Sequence, residues 1–145
     1  MLSKILVPTD GSELSNKAVH GAVEAAQKLH ARLVGLTVTE PYPFASSYGR
    51  SRVESPEHYE ERMRYEADQH LAALRDAARA AGVELETVVQ SSNSPYEAII
   101  ETAKAAGCDS IFMASHGHGG LRSLLMGSET HKVLTHTNIP VLVFR

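Results

Sequence analysis

Short apolar runs, separated by stretches with helical spacing, constrain this chain more than any other feature of it. Ile5-Leu6-Val7, Ile111-Phe112-Met113 and Val141-Leu142-Val143-Phe144 carry no polar interruption. Such runs, bounded by turn residues, suit strands covered on both faces. The pattern predicts strands over Lys4 to Val7, Arg32 to Thr39, Val83 to Val89, Asp109 to Ala114 and Pro140 to Phe144. Between them fall predicted helices. Leu14 to His30 places Ala18, Ala22, Ala25, Ala26 and Leu29 on one face, and His58 to Ala81 turns Leu71, Leu74, Ala78 and Ala81 inward, with Gly82 as its stop. Ser94-Pro95-Tyr96-Glu97 reads as a capping box opening a third helix that ends at Gly107, and a short fourth helix runs from Ser128 to about Thr135. Glu40 to Pro56, with three prolines and several serines, reads as a long loop.

Strict alternation of strand and helix predicts an α/β fold. One domain over residues 1–145 would form an open five-stranded parallel sheet, Rossmann-like, with helices on both faces. Ligands of such sheets bind beyond the C-terminal strand ends, where strand order reverses. The loops there are Pro8 to Ser12, Thr39 onward, Gln90 to Ser94 and Ser115 to Ser128.

Composition narrows the functional classes. Lys and Arg number 14 against 17 Asp and Glu, a net charge of −3, so no basic nucleic-acid footprint is expected. No apolar stretch reaches the ~20 residues of a membrane span, and the opening residues are too short and weakly charged for a signal peptide. The single cysteine, Cys108, rules out an intramolecular disulfide and fits a reducing, cytoplasmic setting.

The segment from Met113 to Ser128 is the most informative. A buried strand runs into a glycine-containing loop, and the loop runs into a helix N-terminus, with a helical turn expected at Leu121 to Leu125. Glycines let a backbone approach an anion closely or turn at positive φ, and the first amides of a helix favour phosphate. Ser128 would add a hydroxyl and serve as N-cap. Local chemistry alone leaves two readings open, a phosphate cradle and an ordinary loop with an ordinary cap. The Walker pattern is absent, and Gly117-x-Gly119 fails the dinucleotide fingerprint because Arg122 stands where its last glycine belongs. His116 and His118 suit exposed loop residues better than metal ligands, and His131 and His136 share a face poorly. Ser128 and His131 lack an orienting third group for nucleophilic catalysis. Arg122 suits either phosphate or solvent, and Cys108 suits inert packing. Asp10 suits both ligand contact and capping of the helix that follows it.

The chain resembles the universal stress protein family along nearly its whole length. The likeness rests on the opening Ile5-Leu6-Val7-Pro8-Thr9-Asp10-Gly11-Ser12, and on Gly127-Ser128-Glu129-Thr130 leading to Asn138-Ile139-Pro140-Val141-Leu142-Val143. ATP-binding members carry Gly-x2-Gly-x9-Gly-Ser/Thr. Here Gly117, Gly127 and Ser128 match, and Ala114 stands in place of the first glycine. The resemblance implies the fold of the adenine nucleotide alpha hydrolases and a regulatory stress-response protein that binds ATP, with or without Mg²⁺, in the cleft between the first and fourth strands. Pro8, Thr9 and Asp10 would hold the adenosine part, and the Val38 backbone would meet adenine. Met113, Ala114, His116 and Gly117 would line the ribose and phosphate side, and Gly127, Ser128 and Glu129 would bind phosphates. The extra methyl of Ala114 is harmless at negative φ and costly if the site needs positive φ. The resemblance also implies a homodimer through Val141 to Phe144, which would cover an apolar edge strand. A nucleotide-free interaction module and a slow ATPase are the competing functions. A phospho-acceptor receiver domain is excluded because the third strand ends in Val88-Val89-Gln90-Ser91-Ser92, without an acceptor aspartate.

Overall fold

The computed structural model describes residues 2–43, 54–117 and 126–145. Strands β1 (Lys4–Pro8), β2 (Arg32–Thr39), β3 (Leu85–Ser91), β4 (Ser110–Ala114) and β5 (Val141–Phe144) alternate with helices α1 (Glu13–Leu29), α2 (Pro56–Ala81), α3 (Pro95–Ala105) and α4 (Ser128–His136). All strand pairs are parallel, in the order β3-β2-β1-β4-β5.

Side-chain alternation along the strands divides the core in two. Ile5, Val7, Leu33 and Phe112 pack with Val19, Ala22, Val23 and Ala26 of α1 and Leu74 and Ala78 of α2. Leu6, Val34, Leu36, Ile111 and Met113 pack on the other face with Ile99, Ile100 and Ala103 of α3 and Val133 of α4. The chain runs outward from β1 to β3 and then returns to place β4 on the other side of β1. The strand order therefore reverses between β1 and β4, and a cleft opens beyond Pro8 and Ala114.

Several boundaries differ from the expectation, each for a local reason. Leu29 is 51% exposed rather than inward. α1 stops there in a left-handed His30 (φ 54°), and Ala31 takes the buried place beneath Ala26. β3 starts two residues later than predicted, because Gly82 (φ 66°) and Val83 both close back on Ala78 O. It also runs on through Gln90 and Ser91, which pair with Val38 and Thr39 as an edge needs no apolar side chains. α2 begins earlier, at Pro56, behind Ser55, whose Oγ accepts from His58 N. The expected turn at Leu121 to Leu125 lies outside the described residues.

Candidate functional site

At the mouth of this cleft the chain leaves β1 through a tight turn. Thr9 Oγ1 accepts from Gly11 N at 3.2 Å, and Asp10 Oδ1 accepts from Ser12 N at 3.0 Å and Ser15 Oγ at 2.8 Å. Ser12 is the N-cap of α1 and accepts from Ser15 N. Gly11, at φ 75°, sits where an L side chain would be strained. The turn thus fixes one carboxylate at the strand end, and Asp10 buttresses α1 as well as facing the cleft.

The opposite wall is built by β4 and α4. Gly127 N donates to Ser115 O at 2.8 Å, and Thr130 Oγ1 donates to Ala114 O at 2.9 Å. These two bonds press the start of α4 onto the end of β4. The first intrahelical bond of α4 is His131 N to Gly127 O, so the amides of Ser128, Glu129 and Thr130 precede the helical ladder. The positive end of the helix dipole lies there as well. Gly127, not Ser128, is the N-cap, at φ −60°, and Ser128 is the first helical residue. A glycine is needed at 127 for space, since a Cβ there would come within 2.7 Å of Ser115 O. Gly117 has the same kind of requirement: an added Cβ would fall on the Asp10 carboxylate. Neither glycine has positive φ, so close approach explains both.

All eleven residues proposed from the sequence line one cavity of about 380 Å³: Pro8, Thr9, Asp10, Val38, Met113, Ala114, His116, Gly117, Gly127, Ser128 and Glu129. Its volume falls within the usual range for small-molecule sites. Five more lining residues were missed, namely Ser15, Leu36, Pro95, Ile99 and Thr130. Leu36 was within reach of the sequence, because it shares a strand face with Val38. Pro95 and Ile99 were not, because nothing local in α3 announces that it borders the α4 N-terminus. His118 and Arg122 lie outside the described residues.

Two side chains play other parts than expected. The Glu129 carboxylate accepts from Tyr96 N at 2.9 Å and pairs with Lys132 at 3.2 Å. It thereby caps α3 from a neighbouring helix. The predicted capping box does not form: Ser94 makes no side-chain cap bond, and the Glu97 carboxylate instead accepts from Tyr96 OH. Ala114 is an ordinary β4 residue paired with Phe144, not a positive-φ position, so its methyl brings no backbone strain. His116 Nδ1 lies 3.1 Å from Ser115 Oγ. Cys108 is buried, and burial pushes its thiol pKa up, consistent with an inert packing role.

The model of the universal stress protein family matches residues 1–145. The chain belongs to that family. It is 33% identical to the universal stress protein YxiE of Bacillus subtilis, with both chains covered in full. The solved structure of protein MJ0577, a universal stress protein of Methanocaldococcus jannaschii, superimposes with a TM-score of 0.83 at 27% identity, covering 99% of this chain and 96% of that one. A universal stress protein solved in complex with cAMP shares the fold, with a TM-score of 0.69 at 23% identity over 97% of this chain and 94% of that one. Universal stress proteins thus provide both the sequence relatives and the fold neighbours. Among the described residues, no helix is long and apolar enough to cross a membrane.

Proposed function

We propose that the cavity binds an adenine nucleotide, ATP in the first instance, and that binding without efficient catalysis is the function of this stress-response protein. The observation that carries the reading is the start of α4, whose first amides border the same cavity as the Gly117 bend and the Asp10 turn. Phosphate oxygens would meet the helix-start amides of Ser128 and Glu129, where the dipole favours anions, with Gly127 giving close approach while its own amide donates to Ser115 O. Leu36, Val38, Ile99 and Met113 offer an apolar wall for the base, and Asp10 an acceptor for ribose hydroxyls. A universal stress protein of the same fold was crystallised in complex with cAMP, an adenine nucleotide.

A Mg²⁺ carried by ATP would find two carboxylates on the described lining, Asp10 and Glu129. Both are already engaged, so the ion would keep mostly phosphate and water oxygens. The β5 edge supports a homodimer through Val141 to Phe144: Leu142 is 47% exposed on it. Calorimetric titration with ATP, beside mass spectrometry for co-purifying nucleotide, tests the reading. Saturable one-site binding supports it, and its absence for ATP, ADP, AMP and cAMP alike refutes it. Turnover of bound ATP at an ordinary enzymatic rate would refute the non-catalytic part.

A further inference from the structure

One residue far from the family motifs touches both the β1 side and the β2 side of the cleft. His70 lies in the middle of α2, and its ring rests on Gly11. A Cβ built at Gly11 would lie 2.8 Å from His70 Cδ2 and 3.4 Å from His70 Cα. Gly11 therefore has two independent reasons to be glycine, its left-handed φ of 75° and the imidazole packed on it. The same ring places Nδ1 3.4 Å from Oγ1 of Thr37, a long hydrogen bond. Thr37 is 1% exposed and immediately precedes Val38 on β2.

The turn beneath His70 is held by small bonds. Gly11 N reaches Thr9 Oγ1, Ser12 N reaches Asp10 Oδ1, and Asp10 Oδ1 also takes the Ser15 hydroxyl. A left-handed glycine has the widest choice of alternative conformations in the chain. Filling the space against it removes those alternatives. Asp10 keeps its place only while Gly11 and Ser12 keep theirs, because its carboxylate is tied to the Ser12 amide.

We propose that His70 is a positioning residue of the nucleotide site: packed on Gly11 and tied to Thr37, it holds the Thr9 to Ser12 turn against β2 and so presents Asp10 to the ligand in a fixed place. The proposal rests on the nucleotide reading above. It makes α2, which contributes no residue to the described lining of that cavity, a determinant of its affinity.

Three variants separate the parts of the contact. His70→Ala removes ring and polar atom, His70→Phe keeps a ring over Gly11, and His70→Asn keeps a polar atom near the Nδ1 position. Amide exchange is measured on the unliganded proteins, and ATP affinity by calorimetry. For His70→Ala, exchange at Gly11 and Ser12 rises about tenfold while peptides of α3 and α4 stay unchanged, as for a local opening. Its ATP dissociation constant rises about tenfold, and His70→Phe recovers most of both effects. Unchanged exchange at Gly11 and Ser12 in both His70→Ala and His70→Asn overturns the proposal. So does raised exchange with unaltered ATP affinity. A wild-type protein that binds no adenine nucleotide overturns the nucleotide reading and the proposal with it. The exchange measured without ligand distinguishes that failure from a missing clamp. If His70→Ala does not fold, the Phe and Asn variants carry the same decision: exchange and affinity equal to wild type in His70→Asn, which lacks the ring, refute the packing role.

Discussion

Gly117→Ala is the substitution whose effect follows most directly from the geometry. The added methyl would land on the Asp10 carboxylate, so the carboxylate must move. Its position is constrained, because Oδ1 is held by Ser12 N at 3.0 Å and by Ser15 Oγ at 2.8 Å. Hydrogen bonds to a charged acceptor contribute about 1.5–3 kcal/mol each, and water recovers part of that at a half-buried site. A net cost of about 2 kcal/mol follows, or roughly 30-fold in affinity for a ligand that needs Asp10 in place. In a chain of this length the same cost lowers the melting temperature by about 4–8 °C. A double-mutant cycle with Asp10→Ala isolates the cause. With the carboxylate gone, the methyl added at position 117 has nothing to displace, so Gly117→Ala costs little in stability there. The assay is thermal unfolding of the four proteins, with ATP titration of the two that keep Asp10. An equal cost of Gly117→Ala in both backgrounds, a coupling near zero, would refute the steric argument.

Three other perturbations probe the remaining walls. Thr130→Val keeps volume but loses the buried bond to Ala114 O, and it lowers stability by about 1–2 kcal/mol in denaturant unfolding; an unchanged midpoint would show that the bond does not pin α4 to β4. Glu129→Gln keeps an acceptor for Tyr96 N but removes a negative charge beside the α4 amides. ATP affinity therefore rises about two- to fivefold by calorimetry, and a fall would place the carboxylate among the ligand contacts. Asp109 makes the acid limb testable. Burial pushes its carboxyl up, but bonds from the Ser3 hydroxyl and the Ser3 and Lys4 amides outweigh this and hold it below its ordinary 3.8. A lowered carboxyl adds stability above its unfolded value and loses it as pH falls through the folded one. The melting-temperature gap between wild type and Asp109→Asn therefore narrows below about pH 4, and a constant gap contradicts the assignment.

Most of the architecture was legible because a parallel sheet covered on both faces demands apolar runs, and Ile5-Leu6-Val7 and Ile111-Phe112-Met113 supply them at the centre. The edge was less legible. Gln90 and Ser91 extend β3 without any strand signal, since an edge position needs hydrogen bonds more than burial. The eleven lining residues came from the resemblance to the universal stress protein family, and the segments that carry them share one cavity at the strand reversal. What escaped were relations between distant elements. Glu129 capping α3 and His70 packing on Gly11 are contacts between residues far apart in the chain, with no local spacing to reveal them. The capping box at Ser94 failed for a local reason: the Ser94 amide that Glu97 would have reached donates to Ser92 Oγ at 3.0 Å, and the Glu97 carboxylate takes the Tyr96 hydroxyl.

The claim on which the function turns is that the opening amides of α4, together with the bend at Gly117, receive the phosphates. Amide-resolved NMR of the protein titrated with ATP, and separately with adenosine, measures it directly. The Gly117, Ser128, Glu129 and Thr130 amides should shift strongly with ATP and weakly with adenosine, while Val38 responds to both. Saturating ATP that leaves these four amides where adenosine leaves them would contradict the claim.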